Sequence, residues 1–155
     1  MSDTPADRVR GLVELVVDAL DLDAEVTIDD GEEQLTATVQ GDDLGLFIGR
    51  HGQTIEAVQH LAQRVVLKDH DHDAPRKRIV VDAAGYRARR QEALEGQAAD
   101  AADEAVRYAR AVALDAMNAT ERRIVHEYLR DREDVETHSE GDEPDRHLVV
   151  TPAEG

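Results

Sequence analysis

The chain has 155 residues, no cysteine and a formal net charge of −17, with 41% hydrophobic and 34% charged residues. This composition is typical of a globular protein with one medium or two small cores, and the lack of cysteine excludes disulfides and thiolate metal sites. No apolar run is long enough for a transmembrane helix, and the N-terminus lacks the basic and apolar regions of a signal peptide. We therefore expect a cytoplasmic protein without a membrane partner.

The charge is unevenly distributed along the chain. Residues 1–46 hold 2 basic and 13 acidic side chains (net −11), and residues 96–155 hold 7 and 15 (net −8). Residues 47–95 hold 9 and 7 (net +2) and form the net-positive third. Acidic residues are therefore concentrated away from the middle third, although a chain this acidic should bind nucleic acid selectively and weakly.

The first 40 residues predict a helix and a β-hairpin. Thr4 is a suitable N-cap before Pro5 at the first helical position. Apolar residues then recur at one-sided helical spacing: Val9, Leu12, Val13, Val16, Val17 and Leu20. After this helix, Val26 and Ile28 alternate with polar residues, residues 29–31 predict a turn, and the alternation resumes at Leu35, Ala37 and Val39.

Residues 44–66 contain the most informative motif, a Gly-Arg-His-Gly loop at residues 49–52 between two apolar segments. Glycines let the backbone turn tightly and approach phosphates, and the loop leads into a helix whose N-terminus favours anions. Helical spacing after the loop is carried by Ile55, Val58, Leu61, Ala62, Val65 and Val66. A plain turn between helices would explain the four-residue string equally well.

Two further elements follow this helix. Residues 76–82 predict a strand, and its apolar run indicates a central position in the sheet. From Gly85 to about Ala111 the chain predicts one long helix, with a break or hinge allowed at Gly96. The basic cluster at residues 86–90 fits either a solvated face paired with Glu92 and Glu95 or a contact with a ligand.

The third informative stretch is a shorter helix with a row of cationic side chains. Asn118 and Glu121 have the spacing of a capping box that starts this helix. An apolar arc is predicted from Ile124, Val125, Tyr128 and Leu129, and a polar border from Arg122, His126 and Arg130. Guanidinium and imidazole groups suit phosphate and base contacts, although an ordinary helix surface shows the same spacing. Residues 135–150 then predict a strand, a Gly/Pro turn and a second strand.

These motifs resemble two known domains in sequence. The Gly-x-x-Gly loop with its flanking elements resembles a KH domain. The Arg122-x-x-x-His126 helix with the following hairpin resembles the single-stranded nucleic-acid-binding R-three-H domain. Their succession is similar to the bacterial Jag (SpoIIIJ-associated) family. The resemblance implies an α+β protein of two small domains. Residues 1–83 would form a prokaryotic-type KH domain (helix-strand-strand-helix-helix-strand), and residues 84–155 an R-three-H domain (long helix, strand, helix, β-hairpin).

The resemblance also implies a function: a non-catalytic protein that binds single-stranded RNA, or single-stranded DNA, and acts as a post-transcriptional or cell-envelope/division-linked regulator. No cofactor is implied. Phosphates would lie at the loop and bases in an adjacent apolar groove, with Arg146 assisting the second site. The predicted binding residues are Ile48, Gly49, Arg50, His51, Gly52, Gln53, Ile55, Arg122, His126 and Arg146.

Other functions are less well supported by the sequence. The alternating run from Asp69 to Asp73 lacks the glycine and the twelfth-position glutamate of a calcium loop, which favours a solvated loop. No nucleotide-binding loop or catalytic triad is present, so an enzyme is not expected. The remaining alternative is an acidic scaffold that binds basic partners, such as ribosomal proteins or another KH protein.

Overall fold

A computed structural model describes residues 3–68 and 76–154. The chain divides into two compact units, Met1–Tyr86 and Arg87–Gly155, which we describe separately. The run Asp69–Asp73, predicted to be a solvated loop, lies outside the described residues. None of the helices in the described ranges is long and apolar enough to cross a membrane.

The first unit begins with helix α1, Pro5–Ala19. The hydroxyl of Thr4 accepts a hydrogen bond from the Asp7 amide at 3.1 Å, and the Asp7 carboxylate accepts one from the Thr4 amide at 3.2 Å. This reciprocal capping box satisfies two N–H groups that the helix leaves without acceptors. Val9, Val13 and Val17 lie on one face and are buried. The predicted start and apolar face of this helix are therefore confirmed.

The sheet of the first unit has three strands: β1 (Ala24–Asp30), β2 (Gln34–Gly41) and β3 (Arg78–Ala83). β2 pairs antiparallel with β1 and parallel with β3, so the spatial order is β1-β2-β3. The hairpin is confirmed. Its turn lies two residues later than predicted, because β1 continues through Asp30, which pairs with Leu35.

The predicted central position of β3 is wrong, because β3 lies at an edge of the sheet. An apolar run predicts burial on both faces of a strand. Instead burial alternates along the strand: Ile79, Val81 and Ala83 are buried, and Val80 is only partly covered. A strand with one buried face can occupy an edge.

Two helices that follow β2 and precede β3 in the sequence cover this sheet. The short α2 (Gly45–Ile48) ends at the Gly-Arg-His-Gly loop, and α3 (Gln53–Leu67) follows it. α3 buries Ile55, Val58 and Ala62 in the same core as the valines of α1. Burying each of these larger apolar side chains contributes about 1.5–3 kcal/mol, so the core fixes the helix that begins at the loop.

The second unit is organised around the long helix α4, Tyr86–Tyr108. The helix continues without interruption through Gly96, where the sequence allowed a break. Its buried face consists mostly of alanines, which let neighbouring elements approach closely: Leu94, Ala98, Ala101, Ala102 and Ala105. The remaining elements are β4 (Val112–Ala113), α5 (Ala119–Leu129), β5 (Val135–Glu140) and β6 (His147–Pro152).

The second sheet has the order β4-β6-β5, and both pairings are antiparallel. The predicted succession of long helix, strand, helix and hairpin is confirmed. On α5 the buried row is Glu121, Val125 and Leu129. Tyr128, which the sequence placed in the apolar arc, is instead 47% exposed, because it lies at the border of this row, about 60° around the helix from Val125.

Candidate nucleic-acid interface

The Gly-Arg-His-Gly loop has a backbone conformation that depends on its glycines. Gly49 (φ 78°, ψ 173°), His51 (φ 56°, ψ 26°) and Gly52 (φ 73°, ψ 16°) all have positive φ. The segment Arg50–Gly52 is a tight turn, in which the Gly52 amide donates to the Gly49 carbonyl at 3.2 Å and the angles of His51 and Gly52 are left-handed. His51 adopts the left-handed region that histidine tolerates better than most residues. The loop is thus a tight, specified turn.

Gly49 is required for a second, spatial reason. A Cβ atom at this position would lie 2.2 Å from Oγ1 of Thr54 and 2.8 Å from the Thr54 amide nitrogen. The hydroxyl could rotate away, but the amide belongs to the first turn of α3 and is held by the core. The backbone of the loop therefore packs directly against the beginning of α3, a contact that only glycine permits.

The beginning of α3 is suited to an anion. Its N-cap is Gly52, which has no side chain to accept hydrogen bonds from the first turn. The Gly52 and Gln53 amides already donate to the Gly49 and Arg50 carbonyls, but among the described residues no side chain caps the amides that follow them in the first turn. These groups and the helix dipole favour negative charge. The loop thus offers a phosphate backbone donors rather than a cluster of cations.

The side chains around the loop differ in their accessibility. Arg50, His51 and Gln53 are exposed, and Ile48 is partly buried. Ile55, predicted to contact bases, has 0% of its surface exposed and packs in the core of the first unit. Its predicted contact role is therefore wrong: a side chain at the third position of α3 points into the sheet, and it holds the helix rather than a base.

The second group of predicted residues lies on α5, whose N-terminus is fixed by a buried carboxylate. Asn118 and Glu121 form the predicted capping box, and their amides and side chains bond reciprocally at 2.9 and 3.3 Å. Glu121 is only 5% exposed and also accepts from Nε of Arg90 on α4 at 2.5 Å. Arg90 thus pairs with neither Glu92 nor Glu95. It joins α4 to α5 and orients the helix that carries the cationic row.

Arg122 is largely enclosed by protein groups. Nη1 donates to the Met117 carbonyl at 2.5 Å, and Nη2 pairs with Oε1 of Glu143 at 2.8 Å. The Arg122 side chain is 12% exposed, whereas that of Glu143 is 59% exposed. The guanidinium is therefore held by a fixed carbonyl on one side and by a solvent-facing carboxylate on the other.

His126 lies one turn after Arg122 and faces β5. Its Nδ1 is 2.6 Å from Oγ1 of Thr137, so Nε2 is the nitrogen that a ligand would approach. A cavity of about 360 Å³ lies beside the ring. It is lined by Ala119, Arg122, Arg123, His126, Thr137, His138, Ser139 and Leu148. The structure therefore brings Arg122 and His126 together at one open depression.

A neighbouring cavity of similar volume shares His126 and Thr137 with the first. Its other lining residues are Leu129, Arg130, Val135 and Glu136. The two depressions follow the line between α5 and β5, with the pair of His126 and Thr137 between them.

Arg146 does not join this group. It precedes β6 at the end of the hairpin turn, and its Nη1 donates to the Gly141 carbonyl at 2.7 Å. It is absent from the lining of both cavities, so the structure gives it a role in closing the turn. Arg146 thus lies just before the last strand rather than on it, and its assistance in nucleic-acid binding stays a prediction.

Sequence reasoning missed four polar or charged residues of the first cavity: Arg123, Thr137, His138 and Ser139. Arg123 directly follows the signature arginine and is exposed. Thr137 and Ser139 follow buried Val135 at two-residue spacing along β5 and share its face, a pattern that could have indicated the side of the strand directed at α5. The side chain of His138 is 2.8 Å from the Glu140 carboxylate, a pairing that no motif predicted.

Two family models match the chain in succession. The model described as "KhpA/KhpB, KH domain" matches residues 6–79, and that of the R-three-H domain matches residues 92–152. The first match contains the glycine loop and the α3 helix. The second contains most of α4, the α5 helix and both cavity-lining strands. The predicted order of domains is thereby confirmed.

Several proteins named "RNA-binding protein KhpB" are similar to this chain. The one from Clostridium symbiosum is 34% identical over 151 residues, covering 96% of this chain and 67% of the relative. That from Bacillus subtilis is 27% identical over 149 residues, covering 95% and 70%. That from Lactiplantibacillus plantarum is 38% identical over 135 residues, covering 87% of this chain but 41% of the longer relative. The chain therefore belongs to the KhpB family, which confirms the resemblance to Jag proteins seen in the sequence.

Proposed function

We propose that this protein binds single-stranded RNA, without catalysing a reaction on it, in the cytoplasm. Two sites take part: the Gly49–Gln53 loop with the start of α3, and the line between α5 and β5. The observation that carries the proposal is the loop backbone, in which Gly49, His51 and Gly52 have positive φ and the turn packs against a helix N-terminus without a side-chain cap. The names of the relatives support RNA as the ligand.

The loop would hold the strand mainly through backbone groups. Amide donors at a helix N-terminus bind phosphate without adding a large positive field, which suits a chain with a net charge of −17. Arg50 and His51 are exposed at this place and add charge and hydrogen bonds. Ile48, partly buried next to the loop, is the apolar side chain that a base can contact. Ile55 contributes only by holding α3.

The second site would hold the strand through side chains. Nε2 of His126, the guanidinium of Arg123 and the hydroxyl of Ser139 are donors around one depression. We propose these residues, together with Arg122, as the contact set of this depression. We propose that the domain with the loop site spans residues 1–83 and that the domain with the α5–β5 site spans residues 84–155.

The proposal predicts a shallow salt dependence. For a single-stranded nucleic acid, each phosphate that a cationic side chain neutralises contributes about −0.7 to the slope of log K against log salt concentration. With Arg50, Arg122 and Arg123 as the main cations, the slope should lie near −2. A much steeper slope would indicate a general electrostatic surface, which the acidic composition does not favour.

The test is binding of a labelled single-stranded RNA, and of DNA of the same sequence, across a salt series. The loop variant combines Arg50→Asp with His51→Asp, and aspartate tolerates the positive φ at position 51. The matched control combines His60→Asp with Arg64→Asp, which are exposed on α3 about 12 and 18 Å along the axis from Gly52. Both variants change charge equally, but the control lies beyond about one Debye length from the loop.

The loop variant should lose at least about tenfold in affinity, and the control should change little. Equal losses in both variants would mean that RNA responds to net charge alone and would overturn the role of the loop. Equal affinity for RNA and DNA would broaden the ligand to single strands of either kind. A regulatory role stays a prediction from the family resemblance, and a KH-protein or ribosomal-protein partner stays a prediction from the acidic charge of the chain.

A further inference from the structure

Glu143 forms an ion pair with Arg122, the cation that the second site would present to RNA. The guanidinium of Arg122 borders the first α5–β5 cavity, yet both of its terminal nitrogens are engaged within the protein. A phosphate that enters the cavity therefore meets an arginine that already has an anionic partner.

The two partners of Arg122 differ in how easily they can be replaced. Met117 is 2% exposed, and its own amide donates to the Arg146 carbonyl at 3.1 Å, so its carbonyl is fixed. Glu143 lies on the exposed turn between β5 and β6 and reaches Arg122 through one oxygen. A single-oxygen pair whose carboxylate faces solvent is weak. The guanidinium can offer a phosphate two parallel donors, which is a stronger arrangement.

We propose that Glu143 is an intramolecular competitor of RNA: its carboxylate occupies the Arg122 guanidinium when no ligand is bound, and a phosphodiester of the strand displaces it. This inference rests on the proposed RNA binding at the α5–β5 line. The exchange lets Arg122 keep a partner in both states, so the largely enclosed cation never lacks a counter-charge. It also lowers the affinity for isolated phosphate groups, because each must first displace the carboxylate.

The opposite role, in which Glu143 orients Arg122 for RNA, makes the opposite prediction. If Glu143 competes, its removal strengthens RNA binding. If Glu143 orients the guanidinium, its removal weakens binding. The sign of one affinity change therefore separates the two roles.

The test compares Glu143→Gln with Asp142→Asn in the full chain, using a labelled single-stranded oligouridylate. Asp142 is the adjacent exposed residue of the same turn, so its substitution removes the same charge without touching Arg122. Glu143→Gln should raise affinity about two- to five-fold above the effect of Asp142→Asn, the range expected from releasing an exposed ion pair. The salt slope should also become steeper by up to about 0.7, because a solution anion then replaces Glu143 at the guanidinium.

A double-mutant cycle supplies the second measurement. In an Arg122→Gln background, the effect of Glu143→Gln should fall to that of Asp142→Asn, because the competitor then has no target. Equal effects of the two substitutions in the native background, or weaker binding by Glu143→Gln, would overturn the inference while the proposed function stands. If the native chain does not bind the oligouridylate or other single strands, the proposed function fails and this inference fails with it.

Discussion

Replacing Gly49 with alanine should destabilise the first unit more than any other single methyl group added to the loop region. Two terms add. The backbone angles of Gly49 lie in a region that is essentially restricted to glycine, which costs about 1–3 kcal/mol for alanine. The added Cβ would lie 2.8 Å from the Thr54 amide nitrogen, and such overpacking costs about 1–3 kcal/mol. The expected loss is therefore about 2–6 kcal/mol.

Two other glycines provide graded controls. In Gly52→Ala the alanine must keep the left-handed backbone conformation of Gly52, which costs about 1–2 kcal/mol, and its Cβ would lie 2.8 Å from the hydroxyl oxygen of Tyr86. Gly45 is the first residue of α2, and the Cβ of an alanine there would contact only the Asp43 side chain, at an ordinary 3.7 Å. Alanine at position 45 should be neutral or stabilising by up to about 1 kcal/mol.

The assay is native-state hydrogen exchange of β2 amides in the full chain, which reports the unfolding free energy of the first unit separately from the second. The account predicts the largest loss for Gly49→Ala, a smaller loss for Gly52→Ala and none for Gly45→Ala. RNA affinity should follow the same order. If Gly49→Ala were as stable as Gly45→Ala, the loop would not hold the conformation that brings it against α3, and the argument for a phosphate-binding backbone would fail.

Three further predictions concern the second unit. Gly96→Ala should stabilise the amides of α4 against exchange by about 1 kcal/mol, since α4 is continuous there and the added Cβ has no atom within 4 Å; a hinge at Gly96 would instead show no gain. Arg90→Met should lower the unfolding free energy seen at α5 amides by about 3 kcal/mol, because it leaves the Glu121 carboxylate buried without its cation; a loss below about 0.5 kcal/mol would contradict the pairing. The hydrogen bond from Arg132 holds the pKa of Asp134 below its ordinary value, so the pair stabilises the fold at pH values above the ordinary carboxyl range, and this stabilisation is lost as the pH falls through the lowered pKa. Urea unfolding of Arg132→Gln should therefore show a smaller acid-induced loss of unfolding free energy than the native chain, and an identical pH profile would refute this role of the pair.

Features that act within one turn of chain were predictable from the sequence. The capping boxes at Thr4 and Asn118, the glycine loop and the strand alternation of β2 all depend on residues a few positions apart. Local chemistry alone specifies them, because side-chain and backbone groups at that spacing meet whatever the rest of the fold does. The order of elements followed from these signals.

Features that depend on distant residues were not predictable in the same way. The pairing of Arg90 with Glu121 spans 31 positions and that of Arg122 with Glu143 spans 21. Because acidic residues such as Glu92 lie closer to Arg90 in the sequence, the sequence alone does not indicate Glu121 as its partner. Similarly, an apolar strand such as β3 has the same composition at an edge as in the centre of a sheet, since neighbours decide its position.

The role of individual side chains was the least predictable property of the site. Ile55 has the composition of a groove residue, but its position on α3 directs it into the core. His138 shows no motif, but β5 places it at the cavity beside His126. Both outcomes depend on which face of an element is covered, and a small error in helical phase or strand parity reverses that assignment.

The most direct test of the account is a titration of the full chain with single-stranded RNA, followed by amide chemical shifts. The account predicts that the largest changes occur in two groups, residues 49–54 at the loop and start of α3, and residues 122–126 with 137–139 along the α5–β5 line. Changes should be small on the acidic exposed residues of α1 and β1. If the shifts instead concentrated on α1 and β1, or if RNA produced none, the assignment of these two sites as the RNA-binding surface would be contradicted.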